Sequence, residues 1–436
     1  MSGCRSVSLG VARRAVRVSH DFPGVRVLVL SQYYWPETFR ITEFAAELRD
    51  AGVSVAVLTA QPNYPDGVIT PGYRAASLRR EEHQGIVIHR VPIVPRGQRS
   101  AVRLLLNYLS FIVCATLLGP WLLRGQRFDV VLVYAPSPIL QVIPAIWLAW
   151  IKSARLVTWV QDLWPESLEA TGFVRNPRAL SAVGLVVNWI YRCNDLLLAQ
   201  SQAFVSAVEP RAGRTPVQYF PNPGERAFDA TTELRAPVLV LDPGFNIVFA
   251  GNLGTVQALD TVVAAAQLLR DEPDIRFVLV GSGSRADWVR EEVARLGITN
   301  VQLPGRYDPA DIPAILVQSS AVLVTLARSP ILARTVPSKV QAYLASGRPI
   351  IAALDGEGAR VVEEAGAGVA VPAEDPAALA AAAVRLRDAG AEARASMGLR
   401  GRVYYEREFA PDMLAQRLRT LLAELVAARG PDPQTT

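Results

Sequence analysis

Lysine is nearly absent from this chain. Of its 45 basic residues only Lys152 and Lys339 are lysines, so each asks for a local reason. Drift is one answer for Lys339; the other is a site that admits a compact ammonium and rejects a planar, five-donor guanidinium. Cysteine is scarce too. Cys4, Cys114 and Cys193 show neither CxxC nor Cys/His spacing, which removes a disulfide framework and a zinc site and fits a reducing cytosolic setting. The first 24 residues carry arginines but no apolar core of signal-peptide length, so secretion is not expected; they read as a basic, mobile tail. No basic helix with interleaved aromatics occurs, and nucleic acid is not an expected partner.

What is present is apolar. With 436 residues, half of them hydrophobic, the chain can bury the cores of two or three domains. Charge is unevenly spread: residues 1–220 hold 23 Arg and Lys against 14 Asp and Glu, while the whole chain nets only +5. An N-terminal half this basic suits an anionic surface or a phosphate-bearing ligand. Two long apolar stretches lie in it, Leu104–Leu123 and Pro138–Ile151. The first is about as long as a bilayer is thick but contains Asn107, Ser110, Thr116, Gly119 and Pro120. Three placements are open. Helices buried against a sheet are the favoured one, ahead of a helix face lying in a membrane surface, with Arg96, Arg99, Arg103, Arg124 and Arg127 alongside, and of a true span.

Short aliphatic runs alternate with helical periodicity along the rest. Strands are expected at Val25–Ser31, Val53–Thr59, Ile86–Val91, Asp129–Ala135, Arg155–Val160 and Asp195–Ser201, and the rhythm restarts at Asn246–Gly251, Ile275–Gly281, Asn300–Gly305, Ala321–Leu326, Pro349–Leu354 and Gly368–Pro372. Continuous apolar strands between helices mean parallel sheets covered on both faces. The fold class is therefore α/β, with two doubly wound, Rossmann-like domains facing across a cleft. The expected boundaries are a tail over 1–24, an N-terminal domain over 25–222, a linker over 223–244, a C-terminal domain over 245–410, a helix over 411–428 packing back toward the N-terminal domain, and a tail over 429–436.

In the second domain two successive strands run into glycine turns and then helices, with Gly251 and Gly254 in the first turn and Gly281 and Gly283 in the second. Such turns let a backbone approach phosphate oxygens. Lys339 opens a further helix on the same edge, closed by Gly347. A cation there opposes the helix dipole unless an anion offsets it, so a bound phosphate is the natural partner.

Residues 25–428 resemble a family 4 glycosyltransferase of the GT-B fold, most similar to the WbuB-like subgroup that builds O-antigen and colanic-acid-type polysaccharides. The stretches that carry the resemblance are QYYWPETFRITEFAAEL, AQPNYPDG, VQDLWPES, FAGNLGTVQALD and VPSKVQAYLASGRPII. The resemblance implies retaining transfer of a sugar from a nucleotide diphosphate, UDP before GDP, to an acceptor hydroxyl, on a lipid-linked glycan at the cytoplasmic face of an anionic membrane. It places Asn252, Gly254 and Gln257 by the diphosphate, Gly281 and Gly283 along the donor site, Arg306 and Tyr307 near the base, and Ser338 and Lys339 on phosphate. Asp162 would lie beside the reacting carbon, with Glu37 as a second catalytic candidate and Arg40, Asn63 and Tyr64 on the acceptor side. No DxD run follows a strand, so neither a metal nor another cofactor is expected. The family's two glutamates, with seven residues between them, correspond here to Arg334 and Ala342, which removes an expected ribose anchor; Gln341 is adjacent, and Arg348 is a weaker phosphate candidate. Two other readings are a catalytically silent homologue binding nucleotide or membrane in an assembly complex, and a nucleotide-sugar epimerase.

Overall fold

A computed structural model describes residues 24–98, 100–228 and 235–428; most of the basic tail, Arg99 and the tail over 429–436 lie outside the described residues. The N-terminal part contains strands β1 (Arg26–Leu30), β2 (Ser54–Ala60), β3 (Arg79–His83), β4 (Ile86–Val91), β5 (Val130–Ala135), β6 (Arg155–Val160), β7 (Leu196–Ala199) and β8 (Val217–Tyr219). Its helices are α1 (Arg40–Asp50), α2 (Ala101–Leu122), α3 (Val142–Lys152), α4 (Glu166–Ala170), α5 (Pro177–Arg192) and α6 (Gln202–Ala212). The sheet runs β3-β4-β2-β1-β5-β6-β7-β8 and is parallel except for β3.

Two of these strands carry no apolar run and escape the sequence pattern. β3 reads RREEH and is an edge strand, where charged side chains discourage pairing with another chain. Its Glu81 also neutralises Arg90, which is wholly buried, at 2.5 Å. A buried guanidinium without that partner would be costly. β8 is only three residues long and half-buried.

The C-terminal part has β9 (Phe245–Ala250), β10 (Ile275–Val280), β11 (Val301–Gly305), β12 (Ala321–Thr325), β13 (Ile350–Ala353) and β14 (Gly368–Val371), all parallel in the order β11-β10-β9-β12-β13-β14. Its helices are α7 (Leu259–Leu268), α8 (Ala286–Leu296), α9 (Ile312–Leu316), α10 (Ser338–Ser346), α11 (Glu357–Glu364), α12 (Pro376–Asp388) and α13 (Gly390–Glu408). Helix α14 (Pro411–Ala427) then returns to the first domain. There Leu414, Leu418 and Leu422 share a core with Phe44 and Trp159, and Arg417 donates to the Tyr219 carbonyl at 2.9 Å.

The favoured placement of the first apolar stretch, a helix buried against a sheet, needs correction. α2 does pack on the sheet, but the side it turns inward is a narrow stripe of Asn107, Phe111, Ala115 and Gly119. Asn107, buried, bonds Gln32 at 2.7 Å and the Val94 carbonyl at 2.7 Å; Ser110 accepts from the Val94 N–H; Gly119 sits against Leu58 and Leu148. Leu105, Leu106, Leu109, Val113, Leu117 and Trp121 face outward and are exposed. α3 and α5 cover the same face of the sheet and expose Trp147, Trp150, Leu185 and Trp189. Ordinary soluble helices show the reverse arrangement. Lys152, the first of the two lysines, ends α3 by donating to the carbonyls of Leu123 and Gln126 at 2.6 and 3.0 Å.

Candidate active site

In both domains the loops that follow the parallel strands open on the cleft, where such sheets place their ligands. On the C-terminal side a cavity of about 460 Å3 holds Asn252, Gly281, Arg306, Tyr307, Ser338 and Lys339 together. Six of the nine expected donor-side residues are thus gathered by folding. Gly254, Gln257 and Gly283 are not among its walls; they shape the turn behind it. The Gln257 side chain accepts from the Gly254 N–H at 3.0 Å, and a Cβ on Gly283 would stand 2.5 Å from the Leu253 carbonyl oxygen.

The glycine turns bring backbone close but spend their donors internally. Gly251 N–H bonds the Val280 carbonyl at 2.9 Å and Gly281 N–H the Gly305 carbonyl at 2.8 Å. Free donors come instead from α10. Its N-cap is Pro337, without a side-chain cap, so the first-turn amides of Ser338 and Lys339 have no partner within the helix. They carry the helix's partial positive charge toward the cavity. Tyr343 on the same helix donates to the Ala250 carbonyl region through its hydroxyl and accepts from the Ala250 N–H at 2.9 Å, locking α10 to the end of β9.

Lys339 has a fitted place. Its ammonium lies 4.7 Å from the Phe249 ring centroid, and its stem crosses Gly251 so closely that a Cβ there would come within 2.6 Å of Lys339 Cε. Burial pulls the ammonium below its ordinary pKa, and among the described residues no carboxylate pairs with it. An anion entering the cavity would supply the missing counter-charge. Arg348 lies past the opposite end of α10 and is not part of this cavity.

One wall was invisible to spacing arguments. Glu225 and Phe228, from the segment joining the domains, line the cavity, and among the described residues Glu225 is the only carboxylate in its walls. Ala342 lines it too, while Gln341 is turned away and donates to the Asn222 carbonyl at 2.7 Å. Arg40, the first residue of α1, donates to the Pro223 carbonyl at 2.8 Å and to Glu225 at 2.9 Å, so it holds the joining segment rather than standing free.

Across the cleft, Asp162 follows β6 and accepts from the Trp164 indole at 3.1 Å. With Glu166 and Ser167 it borders a cavity of about 50 Å3 closed from the other domain by Ile331, Arg334 and Thr335. The segment from Ile331 to Lys339 therefore borders both cavities. Glu37 lies in the loop between β1 and α1, and its carboxylate accepts from the backbone N–H groups of Asn63 and Tyr64, both at 2.7 Å, and of Tyr34 at 3.2 Å. Through these bonds it fixes the loop after β2, where Asn63 is buried and Tyr64 keeps its ring open. Burial raises the Glu37 carboxyl to about 7 against the pull of those three donors.

Two parallel sheets with facing carboxyl edges, an uncapped helix start, a desolvated lysine and a carboxylate opposite define a two-domain enzyme site for a phosphate-bearing substrate. Comparison with known proteins agrees. A family model described as glycosyl transferase 4-like domain matches residues 38–223, and one described as glycosyl transferases group 1 matches residues 244–388. The putative colanic acid biosynthesis glycosyl transferase WcaI of Escherichia coli is 28% identical over 344 residues, 74% of this chain and 82% of that protein. The probable glycosyltransferase WbjE of Pseudomonas aeruginosa is 27% identical over 302 residues, 66% of this chain and 72% of its own length. Among solved structures, sucrose-phosphate synthase from Thermosynechococcus elongatus superposes with a TM-score of 0.66 at 16% identity, over 93% of this chain and 100% of that one. Anabaena HepE in complex with UDP does so with a TM-score of 0.64 at 15% identity, over 92% and 100%. The chain belongs to the family 4 glycosyltransferases of the GT-B fold.

Two outcomes are expected. Below pH 4.5 Glu37 is protonated in the folded and unfolded chain alike; between 4.5 and 7 the folded protein keeps a proton that the unfolded chain has released, so this group's contribution to stability falls as pH rises and levels off above 7. Glu37→Gln cannot titrate, so its melting temperature minus the parent's should climb from pH 4.5 to 7.5. A flat difference would mean that the carboxyl ionises normally in the fold. For Lys339, the tight passage between Gly251 and Phe249 predicts that Lys339→Arg binds UDP roughly tenfold or more weakly, nearly as poorly as Lys339→Ala. Calorimetry on the three proteins decides; parent-like affinity in Lys339→Arg would mean that the lysine is drift.

Proposed function

We propose that this glycosyltransferase moves a hexosyl or N-acetylhexosaminyl unit from a UDP-sugar, with retention and without a metal, to a hydroxyl of a lipid-linked glycan in surface polysaccharide biosynthesis. The observation that carries the reading is the Ile331–Lys339 segment, which borders both the cavity of Lys339 and the α10 start and the cavity of Asp162 across from it. Ser338 and Lys339 would hold the diphosphate, where fixed donors stabilise the charge that builds on the leaving group. Arg306 and Tyr307 would flank the base. Glu225 is placed to accept from the ribose hydroxyls, the task left open by alanine at position 342. In the transfer the bond from C1 of the sugar to the diphosphate oxygen breaks and a bond from C1 to the acceptor oxygen forms. The acceptor's proton leaves to Asp162 or to the departing diphosphate, and the Asp162 carboxylate steadies the positive charge at C1. The UDP held by the Anabaena structure and the polysaccharide role in the WcaI name support the donor and pathway assignments.

The outer layer of the first domain supports membrane attachment. An apolar face over α2, α3 and α5 carries tryptophans and is flanked by Arg103, Arg124 and Arg127, which suits peripheral binding to the anionic inner face of a plasma membrane. Vesicles of phosphatidylglycerol should therefore float the protein, and high salt or alkaline carbonate should strip it. Release only by detergent would indicate a spanning helix, and no flotation would end the membrane assignment.

The activity test is transfer by purified protein from UDP-sugars to extracted lipid acceptors. Asp162→Asn should keep UDP binding while transfer falls by roughly 10²-fold, the scale of a lost acid or base group. Turnover near the parent rate would make Asp162 structural.

A further inference from the structure

We infer that Arg96 marks a phosphate subsite in the acceptor cleft, placed to hold the diphosphate of a polyprenyl-linked acceptor where that lipid leaves the membrane. The inference rests on the lipid-linked acceptor reading above.

Strand order sets the geometry. The first sheet runs β4-β2-β1-β5-β6, so the loops at its carboxyl edge present Arg96, Tyr64, Tyr33, Ser137 and Asp162 in that sequence. The Arg96 guanidinium reaches back from the β4 loop over the β2 loop, and both it and Asp162 act on Tyr108, which sits between them. Arg96 is anchored: its N–H donates to the Asn63 side chain at 3.1 Å, and its guanidinium lies 5.3 Å from the open Tyr64 ring.

Charge points the same way. Residues 83–128 contain no Asp or Glu, yet include six arginines. Arg90 among them is neutralised by Glu81, whereas Arg96 has no carboxylate within ion-pair distance among the described residues. The nearby Glu37 carboxylate is occupied by three backbone N–H groups. A guanidinium left unpaired beside tyrosines is ready for a phosphate, which it can bind with two parallel bonds.

α2 joins this end of the cleft to the membrane face. Tyr108 on its inner side bonds Ser137 and Tyr33; burial raises its hydroxyl most, and of its charged neighbours Arg96 pulls it down while Asp162 pushes it up. Leu105, Leu106 and Leu109, one turn around, face outward and are exposed. A polyprenyl chain lying along the outer face of α2 would thus bring its diphosphate to Arg96 and its glycan toward Asp162.

The same chemistry could come from a bilayer headgroup, so the test separates the two sources. Farnesyl diphosphate and farnesol in detergent micelles serve as probes, with binding read by intrinsic tryptophan fluorescence, and phosphatidylglycerol vesicles serve for flotation. The parent should bind farnesyl diphosphate roughly tenfold or more tighter than farnesol, as expected for lost or gained charge-assisted bonds. Arg96→Gln should abolish that preference, Arg96→Lys should restore part of it, and flotation of both should stay within about twofold of the parent. UDP affinity reports on folding and on the donor site: if the parent itself fails to bind UDP, the transferase reading fails first and separately. A parent without preference for the diphosphate overturns the subsite. So does a preference that survives in Arg96→Gln, which would place the phosphate elsewhere. Reduced flotation with the preference intact would make Arg96 a headgroup contact and overturn the acceptor assignment.

Discussion

The return of α14 onto the first sheet is the constraint on which the site depends. Each domain has its own core, and the joining segment near residue 222 alone would leave the two sheets free to drift. Burial of Leu414, Leu418 and Leu422 beside Phe44 and Trp159 adds a second crossing, with the Gly224 N–H bonded to the Phe409 carbonyl between them. Apolar burial of this size outweighs the few polar contacts across the cleft. Those contacts, from Ser201 to the Arg334 carbonyl and from Gln202 to Glu357, then set how the carboxyl edges face each other.

Within that frame the donor cavity is electropositive by construction. In the proposed function phosphate would be met by helix amides and by the Lys339 ammonium, whose burial lowers its pKa. The opposite wall works with carboxylates held apart from that charge. Arg40 links the walls, since it grips the joining segment through Pro223 and Glu225.

The outer layer of the first domain leaves large apolar side chains exposed. α2 buries only Asn107, Phe111, Ala115 and Gly119 and exposes its leucines, an order that water would penalise and the proposed lipid surface would favour. Its inner polar residues are also what hold the loops after β1, β2 and β4 in place. One helix thereby shapes both the acceptor cleft and the surface that would carry the acceptor.

Much of this was legible along the chain because burial leaves a period. Twelve strands announced themselves as apolar runs, and the scarcity of lysine singled out Lys339 before its neighbours were known. β3 gave no such signal, since an edge strand that supplies Glu81 to a buried arginine has no apolar face to show. The direction in which α2 turns its leucines was equally hidden, because composition records how apolar a helix is and not which side meets the sheet. Glu225 entered the donor cavity only through the path of the segment between domains, and the glycine turns proved to spend their amides on neighbouring strands. Period and composition are local properties and could be read from the sequence by itself; which side chains share a cavity depends on contacts between residues far apart in the chain, and those only the tertiary structure decided.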